Sequence, residues 1–285
     1  MEKELKRMKP FINGEYVASQ AETYMPIYDP STGGVIAETP CCTIEEVERA
    51  ITAAKEAFPA WAATPAHKRA QFFFNLRNLM YEHLDELTLS VATENGKNWS
   101  ESRGDVAKAI EMVEIACHIP MLMMGESLMN TSVGYDTTLY HEPIGVFAGI
   151  APFNFPAMIP MGWMAPLAIS CGNTFVLKAA SMTPITALRI ADLYRQAGFP
   201  DGVINVVTCS RVEADQLMSH PDIKGITLVG STEIGRHIYA RAAENGKRVQ
   251  AICEAKNHAL IMKDAPLEHT AAGIINSAFG CAGER

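Results

Sequence analysis

Between residues 144 and 252, short apolar-rich runs recur, IGVFAGIA, TFVLK, VINVV, GITLVG and RVQAI, separated by stretches with helical spacing. Unbroken apolar runs of about four to eight residues suit strands buried on both faces, and strands alternating with helices predict a parallel sheet covered on each side. Thr183 before Pro184, and Ser210 three residues ahead of Glu213, mark helix starts; Gly198 marks a stop. Earlier in the chain the period changes. FINGEYV places Asn13 and Gly14 where a tight hairpin needs positive backbone angles. Thr43, with Glu46 as capping-box partner, opens a helix that carries Val47, Ile51, Ala54 and Phe58 on one face, and Pro59 is expected to close it. Pro65 opens a long helical pattern towards TENGK, another covers roughly residues 102 to 118 before Pro120, and a β-rich stretch surrounds VGYDTTLYHEP. The final stretch, HTAAGIINSAFGCA, has Ile274, Ala278 and Cys281 at helical spacing beside Ile275 and Phe279, a pattern that asks for a partner surface.

Composition narrows the picture. The chain has 285 residues, 48% of them hydrophobic, enough for a sizeable core and a prior of about two domains. Lys and Arg number 24 against 32 Asp and Glu, a net charge of −8 with no long basic run, which argues against nucleic acid or an anionic membrane as partner. The seven cysteines (41, 42, 117, 171, 209, 253 and 281) are odd in number, contain no CxxC pair and lack clustered histidines. A disulfide framework and a zinc site are both disfavoured, and a reducing compartment fits. MEKELKRMKPF has no apolar signal region, and Pro and Gly interrupt AMIPMGWMAPLAISCG before it could span a bilayer, so a cytoplasmic protein is expected.

Parallel sheets bind ligands beyond the carboxyl ends of their strands, and the unusual residues fall there. The first strand runs into APFNFPAMIP, with Asn154 between two phenylalanines. An amide there is either a donor for a developing oxyanion or a turn asparagine serving local backbone, and the string alone favours the second. The second strand ends at Lys178, within reach of a ribose or phosphate, or simply a solvated charge. The fourth leads into GSTEIG, where Ser231 and a helix start could hold a phosphate. GSTEIGRH misses the P-loop pattern, with Arg236 and His237 where lysine and a hydroxyl belong, and no GxGxxG is present.

Taken together, APFNFPAMIP, CGNTFVLK, HPDIKGITLVGSTEIG, GKRVQAICEAKNH and AFGCAGER resemble the aldehyde dehydrogenase superfamily, most closely its CoA-acylating methylmalonate-semialdehyde dehydrogenase branch. The likeness runs over essentially the whole chain. It implies an α/β, aldehyde dehydrogenase-like fold: a Rossmann-type parallel sheet with helices on both faces and a truncated catalytic domain. By the same resemblance residues 1–123 and 144–252 form the NAD-binding domain, 124–143 a β-hairpin of the oligomerisation region, and 253–285 the start of the catalytic domain.

The activity implied for the full-length form is NAD-dependent oxidation of a malonate- or methylmalonate-semialdehyde-like aldehyde to an acyl-CoA through a thioester, in a homo-oligomer. Alternatives are a non-catalytic NAD-binding fragment and a CoA-independent enzyme for another aldehyde. In the family, a string similar to AFGCAGER is followed at once by the nucleophilic cysteine. Asn154 would then stabilise the oxyanion, and Ala151, Phe153, Lys178, Ser231 and Cys253 match NAD contacts. Cys281 stands five positions early and reads as a small helix residue.

Several positions depart from the family pattern. Ser181 stands where a ribose-binding glutamate is usual, with Met182 at the next cofactor position; a serine would not repel a 2′-phosphate. Lys108 and Arg285 stand where two arginines hold the substrate carboxylate, and a lysine lacks the bidentate fork. Lys108 reads equally well as an exposed helix lysine. Ile252 occupies the place of the glutamate that activates water in hydrolytic members, which favours coenzyme A as acyl acceptor. Glu254 nearby reads as a solvated side chain rather than a displaced base. Three explanations fit an ending at Arg285: a fragment, a nonsense codon, or a UGA selenocysteine codon read as stop. Of these, ordinary truncation comes first.

Overall fold

The computed structural model describes residues 5–285. Five short strands come first: β1 (Lys6–Arg7), β2 (Phe11–Ile12), β3 (Glu15–Tyr16), β4 (Tyr24–Asp29) and β5 (Gly34–Pro40). Helices α1 (Ile44–Ala63), α2 (Ala66–Glu82), α3 (Leu84–Asn95), α4 (Trp99–Cys117) and α5 (Ile119–Leu122) follow, then the hairpin of β6 (Ser127–Ser132) and β7 (Tyr135–Thr138), exposed along its whole length. The sheet proper is built by β8 (Val146–Ile150), α6 (Ala165–Ser170), β9 (Thr174–Lys178), α7 (Ile185–Gln196), β10 (Ile204–Val207), α8 (Arg211–Ser219), β11 (Ile223–Val229), α9 (Thr232–Glu244) and β12 (Arg248–Ile252). A π-helical segment, Ile159–Met164, precedes α6, and α10 (Leu267–Phe279) comes last.

Seven strands lie in the order β12-β11-β8-β9-β10-β2-β3, the first five parallel and the β2–β3 hairpin added antiparallel at one edge. Side chains along β8 and β9 alternate between two cores, as a pleated strand requires. Val146, Ala148 and Val176 join one with α1, α8 and α9, while Phe175 and Leu177 join the other with α2, α4 and α7. Chain order runs outward from β8 in both directions, to β9 and β10 on one side and to β11 and β12 on the other. That reversal opens a crevice at the carboxyl end of β8, next to β11.

The capping boxes at Thr43–Glu46 and Ser210–Glu213 are formed, Asn13 and Gly14 turn the β2–β3 hairpin at φ 53° and 79°, and Gly198 sits at φ 91° after α7. Other local expectations need correction. Pro59 lies inside α1 rather than closing it. Two residues further on, Trp61 is buried and donates Nε1 to the Ile169 carbonyl at 2.8 Å, so tertiary contact holds the last turn on despite the proline. The long helix expected from Pro65 is two, α2 and α3, parted at His83. The helix expected from about residue 102 starts at Trp99, because the Asn98 side chain accepts from the Glu101 amide. Pro120 sits in the first turn of α5, after α4 has ended. Thr183 does not cap α7: its hydroxyl donates to the Phe153 carbonyl, and the Glu94 carboxylate receives the Ile185 and Thr186 amides instead. Cys281 lies beyond α10 at φ 54°, outside the helix, and no residue of α10 is buried.

Candidate active site

Asn154 follows β8 at the switch point. Its neighbours are held by a dense set of donors. The Phe153 carbonyl accepts from Asn95 Nδ2 at 3.1 Å and Thr183 Oγ1 at 3.0 Å, and the Asn154 carbonyl accepts from Lys97 Nζ. Lys97 also pairs with Asp105 Oδ2 at 3.2 Å, both side chains fully buried, and Asp105 Oδ1 receives the Met158 amide at 2.7 Å. Burial pushes the Asp105 carboxyl up, against the opposing pull of Lys97.

The Asn154 side chain meets the last residues of the chain. Its Nδ2 donates to the Gly283 carbonyl at 3.2 Å, while its buried Oδ1 has no partner among the described residues. Gly283 is at φ 85°, and a Cβ there would stand 2.9 Å from Phe153 Cε2 and 3.0 Å from Asn154 Cβ, so only glycine allows this approach. Arg285 is two residues on. Its Nε pairs with Glu284 at 3.1 Å and its Nη1 donates to the Asn276 carbonyl at 3.1 Å. The Cys281 amide donates to Glu101 Oε1 of α4 at 2.9 Å, and burial followed by Glu101 pushes the Cys281 thiol up. A cavity of about 290 Å³ beside this contact is lined by Tyr28, Asn95, Phe153, Met182, Thr183 and Gly283 among others. A larger groove of about 630 Å³ between β1, α3 and α7 contains none of the residues singled out from the sequence.

The remaining sequence-predicted residues divide into two groups. Ala151, Phe153 and Lys178 share the crevice rim, joined by the Ala151 amide donating to the Lys178 carbonyl at 3.1 Å. Ser181 is partly buried and Met182 exposed on the loop that leads to α7. Ser231 is the N-cap of α9, its hydroxyl accepting from the Ile234 amide at 3.5 Å. Glu254 reaches the same helix start, taking the Thr232 amide at 3.3 Å; that bond, with Lys256 nearby, holds its carboxyl low. Glu254 is exposed, in keeping with a solvated side chain. The Cys253 sulfur fills the notch over Gly235, 2.2 Å from where a Cβ would stand. Lys108 is exposed and paired with Glu111 at 2.6 Å, and among the described residues no hydrogen bond or ion pair joins it to Arg285. The α4 residue that holds the tail is Glu101, two turns back along the same face.

Glu94, Asn95, Lys97, Asp105 and Glu101 were not found from the sequence. For the first three the signal is the polar string ENGK at the end of an otherwise periodic helix, and charge in such a place ordinarily means solvent.

The family model for aldehyde dehydrogenases matches residues 16–285, and the chain belongs to that family. Among its relatives is malonate-semialdehyde dehydrogenase 1 of Geobacillus thermodenitrificans, 47% identical over 278 residues, 98% of this chain and 57% of the relative. Two solved structures are similar throughout. A Sinorhizobium meliloti protein described as a methylmalonate-semialdehyde dehydrogenase complexed with NAD superposes with a TM-score of 0.95 at 38% identity, over 100% of this chain and 58% of the other. The methylmalonate-semialdehyde dehydrogenase of Oceanimonas doudoroffii gives 0.94 at 40% identity, over 99% and 57%. The chain thus spans a little over half the length of these relatives. No helix among the described residues is long and apolar enough to cross a membrane.

Proposed function

We propose that these 285 residues form the NAD-binding part of an enzyme that, at the length of its relatives, oxidises a malonate- or methylmalonate-semialdehyde-like aldehyde to an acyl-CoA through a thioester. The observation that carries this reading is the contact between Asn154 at the switch point and Gly283 in AFGCAGER, the string that leads to the nucleophile in the family. It supports the reading because Gly283 stands three residues before the expected nucleophile position, and the Asn154 amide is a group able to donate to an oxyanion.

NAD, when bound, supplies the hydride acceptor. The residues present fit it: Ala151 and Phe153 would wall its crevice, Lys178 would serve a ribose, Ser181 and Met182 would border the adenosine end, Cys253 would back α9, and Ser231 with the α9 amides would take a phosphate. The unpartnered Asn154 Oδ1 is a ready acceptor at the nicotinamide end, and the exposed Glu254 can turn away from the α9 amides to admit a phosphate. Lys108 and Arg285 are proposed for the substrate carboxylate. Each has an acidic neighbour to exchange for it, Glu111 and Glu284. Ile252 brings no carboxylate to activate water, so coenzyme A is the favoured acyl acceptor. Cys281, with its thiol pushed up, is a poor nucleophile. The exposed β6–β7 hairpin, with Met129, Val133 and Tyr135 on its surface, is proposed as the oligomerisation element of the full-length form.

Isothermal titration of the 285-residue chain with NAD, beside an aldehyde-dependent NADH assay, tests the reading. Binding without turnover is expected. A chain continued with cysteine after Arg285 and the second half of a relative should turn over, faster with coenzyme A. Failure to bind NAD, or turnover by the 285 residues alone, overturns it.

A further inference from the structure

The end of α3 and its connection to α4 carry buried polar side chains that the proposed chemistry does not use. Glu94, Asn95 and Lys97 are 2%, 9% and 3% exposed, and Gly96 between them is left-handed at φ 81°. That reversal sends three side chains of one turn to three backbone targets. Glu94 takes the Ile185 and Thr186 amides at 2.8 and 2.9 Å. Asn95 donates to the Phe153 carbonyl, and Lys97 donates to the Asn154 carbonyl while standing 3.7 Å over the Phe155 ring. A buried lysine–carboxylate pair is no better a way to hold a fold than apolar side chains of the same volume. Its particular effect here is directional, because two successive carbonyls are pinned from behind. The peptides on either side of Asn154 then cannot rotate without breaking those bonds, and the Asn154 side chain keeps its direction towards Gly283.

We propose that Asn95 and Lys97 are positioning residues for Asn154 and Phe153, which fix the carbonyls behind the crevice and thereby aim the Asn154 amide. This rests on the reading of the crevice as a dinucleotide site, but its test includes a measurement that does not. The variants are Asn95→Ala, which removes one donor and leaves Thr183 on the Phe153 carbonyl, and Lys97→Met. Thr43→Ala, which uncaps α1 on the opposite face of the sheet, is the control for plain loss of stability.

The Asn154 side-chain amide resonances, assigned through Asn154→Ala, should move or split in Asn95→Ala and hold their place in Thr43→Ala. NAD affinity by titration should fall about threefold in Asn95→Ala and about tenfold in Lys97→Met, with Thr43→Ala unchanged. Should Lys97→Met not fold, Asn95→Ala alone decides. Unmoved resonances in Asn95→Ala, or an equal affinity loss in Thr43→Ala, overturn the proposal. If the parent chain binds no NAD, the dinucleotide reading falls and the resonances alone decide the positioning role.

Discussion

Glu94 offers the sharpest test of the electrostatics around the crevice. It is fully enclosed, and burial raises its carboxyl from 4.5 to about 7, against the two amides that favour the anion and with Asp105 adding a further push upward. An acid whose folded value is raised binds a proton in the folded state that the unfolded chain lacks, between pH 4.5 and about 7. Stability therefore falls as pH rises through that window. Below it Glu94 imposes no penalty; above it the full cost, about 3 kcal/mol, is present. Between about pH 8 and pH 5.5 roughly 2 kcal/mol should be regained, equivalent to about 4 to 8 °C in melting temperature for a chain of this size. Other carboxylates titrate in the same range, so the quantity to read is the difference between the parent and Glu94→Gln, by thermal melts followed with circular dichroism. The parent should gain on the variant as pH falls. A constant difference would refute the reasoning, and a difference that moves the other way would show that the Ile185 and Thr186 amides outweigh burial.

Trp61→Ala should cost about 3 to 5 kcal/mol in guanidinium unfolding, since it empties a site where Trp61 packs on Phe72 and Phe199 and removes one of two donors to the Ile169 carbonyl, the Gly172 amide remaining. Thr43→Ala should cost about 1 kcal/mol in the same assay, the ordinary value of a lost N-cap. Glu254→Gln should bind NAD more tightly than the parent at low salt, because it removes a carboxylate from the α9 amides that a phosphate would use, and the gap should close at high salt. Saturating NAD, at about one hundred times its dissociation constant, should raise stability by about 2.7 kcal/mol, read as a rise in melting temperature.

Four of the parallel strands were legible because strands buried on both faces must be largely apolar, as IGVFAGIA, TFVLK, VINVV and GITLVG are, whereas RVQAI forms the edge strand β12, none of whose residues is buried. The two capping boxes were legible because both partners lie within four residues of each other. Asn154 was found by its place at a strand end, but its string alone favoured a turn asparagine, and its contact with Gly283 spans 129 residues. Pro59 misled because local propensity cannot register the Trp61 bond to Ile169, 108 residues away.

By itself the sequence determined the alternation of elements, the parallel sheet and the end of it at which to look for a site, since each follows from periodicity and from short-range capping. Only the tertiary structure decided which polar residues serve that end. Glu94, Asn95, Lys97 and Asp105 look like solvated charge and amide in the string, and become the supports of the Asn154 loop only when folding removes water and brings carbonyls and amides from other segments to meet them. The physical reason is range: a hydrophobic period is written into neighbours along the chain, whereas the partner of a buried charge is written nowhere near it.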